Sequence, residues 1–161
     1  MKYAAIKEND IVDGEGICVS FWTQGCPFRC KGCHNPETWS FDGGIEEDEN
    51  TLLNKILYLI DKNNVQRNLS ILGGEPLCKQ NREFVAKLVI ATKRRFPNIK
   101  IFLWTGYEIE FLKNINDSNI KTILKNIDTL IDGPFIEEQR DISLKLRGSK
   151  NQRVLDKNKI F

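Results

Sequence analysis

Hydrophobic positions fall in short blocks whose period switches between two and about 3.6 residues. Residues 16–23 (Gly-Ile-Cys-Val-Ser-Phe-Trp-Thr) are β-branched and aromatic and predict a strand. Over residues 50–63, Leu52, Leu53, Ile56, Leu57 and Ile60 recur at i, i+3 and i+4, the spacing of an amphipathic helix. Residues 69–72 form a short apolar run closed by Gly73-Gly74, which predicts a buried strand. Residues 82–96 predict a second helix with Phe84, Val85, Leu88, Val89 and Phe96 inward, stopped by Pro97 and Asn98. Residues 100–104 predict a third strand and 128–131 a fourth. Between them, 108–126 predict one or two short helices, broken near Asn116-Asp117-Ser118. The tail from Arg147 is polar, with a short strand candidate at 153–155.

Strands that alternate with helices imply parallel pairing through helical crossovers. The fold class is therefore α/β, an open sheet or an incomplete barrel, because a closed eight-unit barrel takes about 250 residues and the chain has 161. Neither an internal repeat nor a linker interrupts the pattern, so residues 1–161 read as a single domain. The unusual residues cluster at strand ends: a cysteine loop after the first strand, Gly73-Gly74-Glu75-Pro76 after the second, Thr105-Gly106 after the third and Asp132-Gly133-Pro134 after the fourth. In parallel α/β folds that edge carries the site.

Composition narrows the function classes. With 24 basic and 22 acidic residues, the net charge of +2 provides no electrostatic footprint for nucleic acid. Lys93-Arg94-Arg95 closes a helix, where cations complement the dipole. No run approaches the roughly 20 apolar residues of a membrane span, and residues 1–10 hold no apolar signal segment. The expected location is the cytoplasm, with no membrane partner. There, five cysteines do not suggest a disulfide framework. Cys18 and Cys78 stand apart in apolar surroundings and read as packing.

The other three lie together in Cys26-Pro27-Phe28-Arg29-Cys30-Lys31-Gly32-Cys33. Read as a zinc site, they need a fourth ligand, and the single histidine, His34, is adjacent to Cys33. Read as an iron–sulfur site, three thiolates ligate three irons of a four-iron cubane and leave the fourth open to a substrate. Electron-transfer clusters normally have four cysteine ligands. Arg29 and Lys31 would favour thiolates and a net-negative cluster. Gly73-Gly74 permits positive φ and close backbone approach, with Glu75 set to meet a ligand or to face water.

Cys-x3-Cys-x2-Cys after one strand and Gly-Gly-Glu-Pro after the next resemble the radical S-adenosylmethionine superfamily. Cys33-His34-Asn35-Pro36-Glu37-Thr38-Trp39 resembles its glycyl-radical-enzyme activases. Trp104-Thr105-Gly106-Tyr107, Ile131-Asp132-Gly133-Pro134-Phe135 and Arg147-Gly148-Ser149-x-Asn151-Gln152-Arg153 resemble the branch serving anaerobic ribonucleoside-triphosphate reductases. The likeness runs from about Asp13 to Asp156.

This resemblance implies an incomplete (β/α) barrel of the radical S-adenosylmethionine type, with parallel strands and outer helices. It implies that Cys26, Cys30 and Cys33 ligate one [4Fe–4S] cluster, with S-adenosylmethionine as cosubstrate. Gly73, Gly74 and Glu75 would hold the methionyl amino group, and Thr105 and Gly106 would lie along the ligand. Asp132 and the segment Asn151-Gln152-Arg153 are further ligand or partner candidates. Many superfamily members carry an aromatic residue before the third cysteine. This chain has Gly32, which leaves His34 or backbone to meet the adenine. No catalytic side chain is implied beyond the cluster ligands.

The implied reaction is reductive cleavage to a 5′-deoxyadenosyl radical, which then makes a glycyl radical on the large reductase subunit. A low-potential donor such as a flavodoxin or ferredoxin would supply the electron. Charged residues near the tail (Glu137, Glu138, Arg140, Asp141, Lys145, Arg147) are candidates for docking the reductase. The role of Asp13-Gly14-Glu15-Gly16 stays open. Two alternatives remain: an activase of another glycyl-radical enzyme, and a zinc-stabilised binding module without catalysis.

Overall fold

The structure, a computed structural model, describes residues 1–161. Seven strands form one sheet: β1 (Lys2–Asp10), β2 (Cys18–Thr23), β3 (Ile45–Glu46), β4 (Asn68–Gly73), β5 (Ile101–Trp104), β6 (Thr129–Asp132) and β7 (Arg153–Asp156), in the order β3-β1-β2-β4-β5-β6-β7. The four central strands, β2, β4, β5 and β6, are mutually parallel. These are the four main strands that the apolar runs predict.

The sheet as a whole is mixed, which corrects the expectation of wholly parallel pairing. β1 runs antiparallel to β2, β3 antiparallel to β1, and β7 antiparallel to β6. For β1 and β2 the physical reason is connection length. β1 and β2 are joined by a short loop, which permits only an antiparallel pair, whereas parallel partners need a crossover.

The helices are α1 (Glu49–Ile60), α2 (Arg82–Arg95), α3 (Ile109–Asn114), α4 (Ser118–Asn126) and α5 (Lys157–Ile160). Asp48 caps α1 by accepting from the Thr51 amide at 3.0 Å. Asp117 accepts from Asn119 and Ile120 and starts α4, which accounts for the predicted break.

Alternation along the central strands divides the sheet into two faces. Val19, Phe21, Leu69, Ile71, Ile101, Leu103 and Leu130 share one face and join Leu52, Ile56, Phe84, Leu88 and Ile123 from the helices in the core. The opposite face presents Ser20, Trp22, Ser70, Leu72, Phe102 and Trp104. Loops cover it. Ser70 Oγ donates to the Asp13 carbonyl from the loop before β2, and Trp104 Nε1 donates to the Leu146 carbonyl at 2.7 Å from the β6–β7 excursion. Between these two covering segments the face stays open as a cleft.

Candidate functional site

The cleft has a volume of about 700 Å³ and runs along the C-terminal edge of the parallel strands. It receives Cys26, Cys30 and Cys33, and His34 beside them. Gly73, Gly74, Glu75, Thr105 and Gly106 line it as well. The topology therefore brings together residues that lie up to eighty positions apart.

The cysteine loop is fastened at its root. The Gly25 amide donates to the Thr38 carbonyl at 2.7 Å and the Cys26 amide to the Trp39 carbonyl at 3.1 Å. Gln24 Nε2 donates to the carbonyls of Glu37 and Ser40, and Asn81 Nδ2 donates to those of Gln24 and Glu75. Arg29 adopts φ 48° and Gly32 φ 76°. A Cβ on Gly32 would lie 2.8 Å from the Glu137 carboxyl carbon. The positive φ disfavours any residue with a side chain here, which accounts for glycine in place of the usual aromatic.

Burial pushes the Cys26 thiol up, opposed by the backbone amides of Phe28 and Arg29. Burial likewise raises Cys30, opposed by the Phe135 amide. The donor set fits a four-iron cluster: three soft thiols open on one cleft. Cys18 and Cys78 are both buried in packing positions.

The Gly73-Gly74 pair acts first on backbone. Gly73 has φ 105°, and a Cβ there would sit 2.6 Å from the Thr23 amide nitrogen. A Cβ on Gly74 would overlap the Gly25 carbonyl. The turn after β4 thus lies directly on the root of the cysteine loop, with Gly74 donating to Thr23 and Glu75 donating to Gly25.

Glu75 is buried. Its Oε1 accepts from Thr105 Oγ1 at 2.7 Å and from the Leu77 amide at 2.9 Å, and its Oε2 accepts from the Gly106 amide at 2.7 Å. Burial pushes its carboxyl up to about 7 against the pull of those three donors. Gly106 has a packing role as well, since a Cβ there would meet the Phe28 ring at 2.7 Å.

The tail candidates take a different place. Asp132 is fully buried and accepts from the Ile109 amide and from Arg153. Arg153 also spans to Glu110. Asn151 Nδ2 donates to the Pro134 carbonyl at 2.7 Å. These three are absent from the cleft lining, while their neighbours Gly133, Gly148 and Gln152 belong to it. Gln152 Oε1 accepts from Gly148 and Ser149, and its Nε2 donates to Gly133, closing the excursion.

Asp13 and Gly14 line the cleft from the other side, and Gly14 has φ 125°. His34 sits 5.3 Å from the Phe135 ring. Trp22, Trp39 and Trp104 are half-buried on the cleft rather than in the core.

Gln24, Asn81 and Phe28 escaped the sequence reading. For Phe28, its place inside the cysteine spacing was the available signal.

The family described as "4Fe-4S single cluster domain" matches residues 12–155. The chain is 38% identical over 152 residues to the anaerobic ribonucleoside-triphosphate reductase-activating protein of Haemophilus influenzae, covering 94% of this chain and 96% of that one. It is 38% identical over 154 residues to the protein of the same name from Enterobacteria phage T4, covering 96% and 93%. The Escherichia coli K12 counterpart is 32% identical over 157 residues, covering 96% and 97%.

Proposed function

The chain belongs to the family of anaerobic ribonucleoside-triphosphate reductase-activating proteins, and from that premise we propose how its cleft works. Cys26, Cys30 and Cys33 hold a [4Fe–4S] cluster. Gly73, Gly74 and Glu75 receive the methionyl end of S-adenosylmethionine, and Thr105 and Gly106 flank the rest. When bound, a [4Fe–4S] cluster there would supply the low-potential electron for reductive cleavage of S-adenosylmethionine, the chemistry that leads to a glycyl radical on the reductase.

The observation that carries this reading is the opening of three thiols and two glycine-marked strand ends on one cleft. Its volume lies within the range of small-molecule sites, about 300–1,000 Å³. The chain's own residues bind, orient and exclude water. Burial of Glu75 fixes the Thr105-Gly106 turn before any ligand arrives, so the site is preorganised. Asp132, Asn151 and Arg153 serve by bracing the β6–β7 excursion that forms the far wall. The parallel centre, with helices on one face and the cleft on the other, supports an incomplete barrel open to a large partner. Residues 1–161 act as one domain, in the cytoplasm, with a low-potential carrier protein as reductant. No helix is long and apolar enough to cross a membrane.

The test is anaerobic reconstitution with iron and sulfide, reduction with dithionite in the presence of S-adenosylmethionine, and assay for 5′-deoxyadenosine. Addition of the reductase should then yield a glycyl radical by electron paramagnetic resonance. Serine at position 26, 30 or 33 should abolish the cluster absorbance, whereas Cys18→Ser should retain it. A colourless zinc protein that leaves S-adenosylmethionine intact would instead support the binding-module alternative. Turnover without a radical on this reductase would redirect the activity to another glycyl-radical enzyme.

A further inference from the structure

The chain leaves eleven large hydrophobic side chains exposed. The three most exposed are Ile142 at 90%, Val12 at 77% and Ile11 at 75%, and the next, Phe161, stands at 63%. Those three line the cleft, and none of the others does. Apolar side chains scattered singly over a surface need no explanation. These three are the chain's most exposed, and all of them gather at one opening.

They come from opposite walls. Ile11 and Val12 lie in the loop between β1 and β2, and Ile142 in the excursion between β6 and β7. In the sheet, β4 and β5 separate the two places. At each, an aspartate shapes the turn. Asp10 Oδ1 accepts from the amides of Val12 at 2.9 Å and Asp13 at 3.0 Å, and Asp141 Oδ1 accepts from the Ser143 amide at 2.9 Å. Such turns set the conformation of the residue that follows the aspartate. The first loop is fastened to the sheet through Ser70 and Asp13, and the second at its neck, where the Asp141 amide donates to the Gly148 carbonyl at 3.1 Å. The aliphatic side chains are thus held out into water, a loss of apolar burial that nothing within the fold offsets.

S-adenosylmethionine does not account for them. At the end assigned to that cosubstrate, Glu75 and Thr105 are buried, whereas these three stand at the mouth. The glycine that becomes the radical has to reach the cosubstrate, so the backbone segment that carries it has to pass the mouth.

We infer that Ile11 and Val12 on one wall and Ile142 on the other form two apolar lips that grip the reductase segment carrying the radical glycine, through apolar side chains flanking that glycine. This rests on the function proposed above. Glycine has no side chain to hold, so affinity and register have to come from its neighbours. In an extended segment successive side chains point to opposite sides, which presents them to lips on opposite walls. The lips select a partner by the apolar flanks of its glycine and set where the glycine Cα lies in the cleft.

The test uses reconstituted protein carrying Ile11→Ser or Ile142→Ser, with Ile142→Leu as the conservative variant. Tyr58→Ser, at an exposed hydrophobic on α1 outside the cleft, is the control. Affinity for the whole reductase and for S-adenosylmethionine is read by titration, and the glycyl radical by electron paramagnetic resonance at saturating reductase. Each lip serine should weaken reductase affinity about tenfold, and saturating reductase should restore the radical yield. Ile142→Leu and Tyr58→Ser should bind the reductase as wild type does. A reductase whose apolar residues beside the glycine are replaced by serine should bind wild-type activase more weakly, and Ile142→Ser should then add little, because both changes remove one contact.

Wild-type reductase affinity in both lip variants would overturn the inference. Equal losses of reductase and S-adenosylmethionine affinity would overturn it too, by placing the lips in the cosubstrate site. Full additivity of the two-sided changes would put the lips against another part of the reductase, which also overturns it. Wild-type protein that makes no 5′-deoxyadenosine with dithionite would sink the functional reading itself. Turnover in the wild type with indifferent lip variants would sink only the lips.

Discussion

The Gly106 amide donates to Glu75 Oε2 at 2.7 Å and so ties the turn after β5 to the turn after β4. The other carboxylate oxygen accepts from Thr105 and Leu77. Glu75→Gln keeps an oxygen for those two donors but turns an NH2 group toward the Gly106 amide. One buried donor is then unpaired, at about 2 kcal/mol. For a chain of this length that corresponds to a fall of roughly 6 °C in melting temperature. S-adenosylmethionine affinity should fall with it, because the turn that flanks the ligand loosens. Thermal unfolding and ligand titration of the variant check both. An unchanged melting temperature would mean that the three hydrogen bonds do not hold the turn.

Gly74→Ala and Gly106→Ala should separate two kinds of close approach. At Gly74 the obstacle is the backbone of Gly25 and Thr38, which can yield only by displacing the cysteine loop. At Gly106 the obstacle is the Phe28 ring, which can swing away. Overpacking against fixed backbone is expected to destabilise by about 3 kcal/mol, and against the ring by about 1 kcal/mol. Cluster content after reconstitution should fall in Gly74→Ala and persist in Gly106→Ala. Equal losses in the two variants would contradict this ranking.

Asp13 gives a pH signature away from the cysteines. Burial, followed by the hydrogen bond and charge of neighbouring Asp10, pushes its carboxyl up to about 7, with Lys7 opposing. Asp10 moves the other way. Burial raises it, but hydrogen bonds from Asp13, Val12 and Ser20 outweigh that and hold it low. An unfolded aspartate titrates near 3.9, so between about pH 4 and 7 the folded chain keeps a proton that the unfolded chain has released. The Asp13 contribution to stability is therefore complete below about pH 4 and is lost as pH rises through 7. Asp13→Asn should flatten the decline of melting temperature between about pH 5 and 8. Parallel curves for the two proteins would rule this out.

The central strands were legible because most of their residues are buried, which leaves apolar runs such as Leu69–Leu72. β1 was not. Its Lys2, Lys7 and Glu8 dilute the pattern, and within it only Tyr3 and Asp10 are buried. Its pairing is fixed by contact with β2, which no local window contains. The cysteine loop could be read from spacing alone, since three thiols in eight residues carry their chemistry with them. Gln24 and Asn81 could not, because they are single polar residues whose partners are backbone carbonyls, two of them 13 and 57 positions away. In the tail, the motif was visible and its geometry was hidden. Nothing local shows that Asp132 and Arg153, 21 residues apart, face each other across β6 and β7.

That pairing gives the last prediction. Asp132 is fully buried, and its carboxylate is answered by the Ile109 amide at 2.8 Å and Arg153 Nε at 2.9 Å. Arg153→Ala leaves the buried carboxylate with one donor. Breaking a fully buried pair destabilises by about 3–5 kcal/mol. The Arg153 side chain is 41% exposed, so screening reduces the expected loss to about 2 kcal/mol. The consequence should be local, with β7 released from β6 and amide exchange faster along Arg153–Asp156. Arg153→Lys keeps the charge but loses the fork that bridges Asp132 and Glu110, and should fall between wild type and alanine. If the pair braces the cleft wall from outside, S-adenosylmethionine affinity at a temperature where the variant remains folded should change by less than about threefold, under 0.7 kcal/mol. A tenfold loss of affinity with an unchanged melting temperature would reverse the assignment and put Arg153 on the ligand, as the sequence resemblance implies.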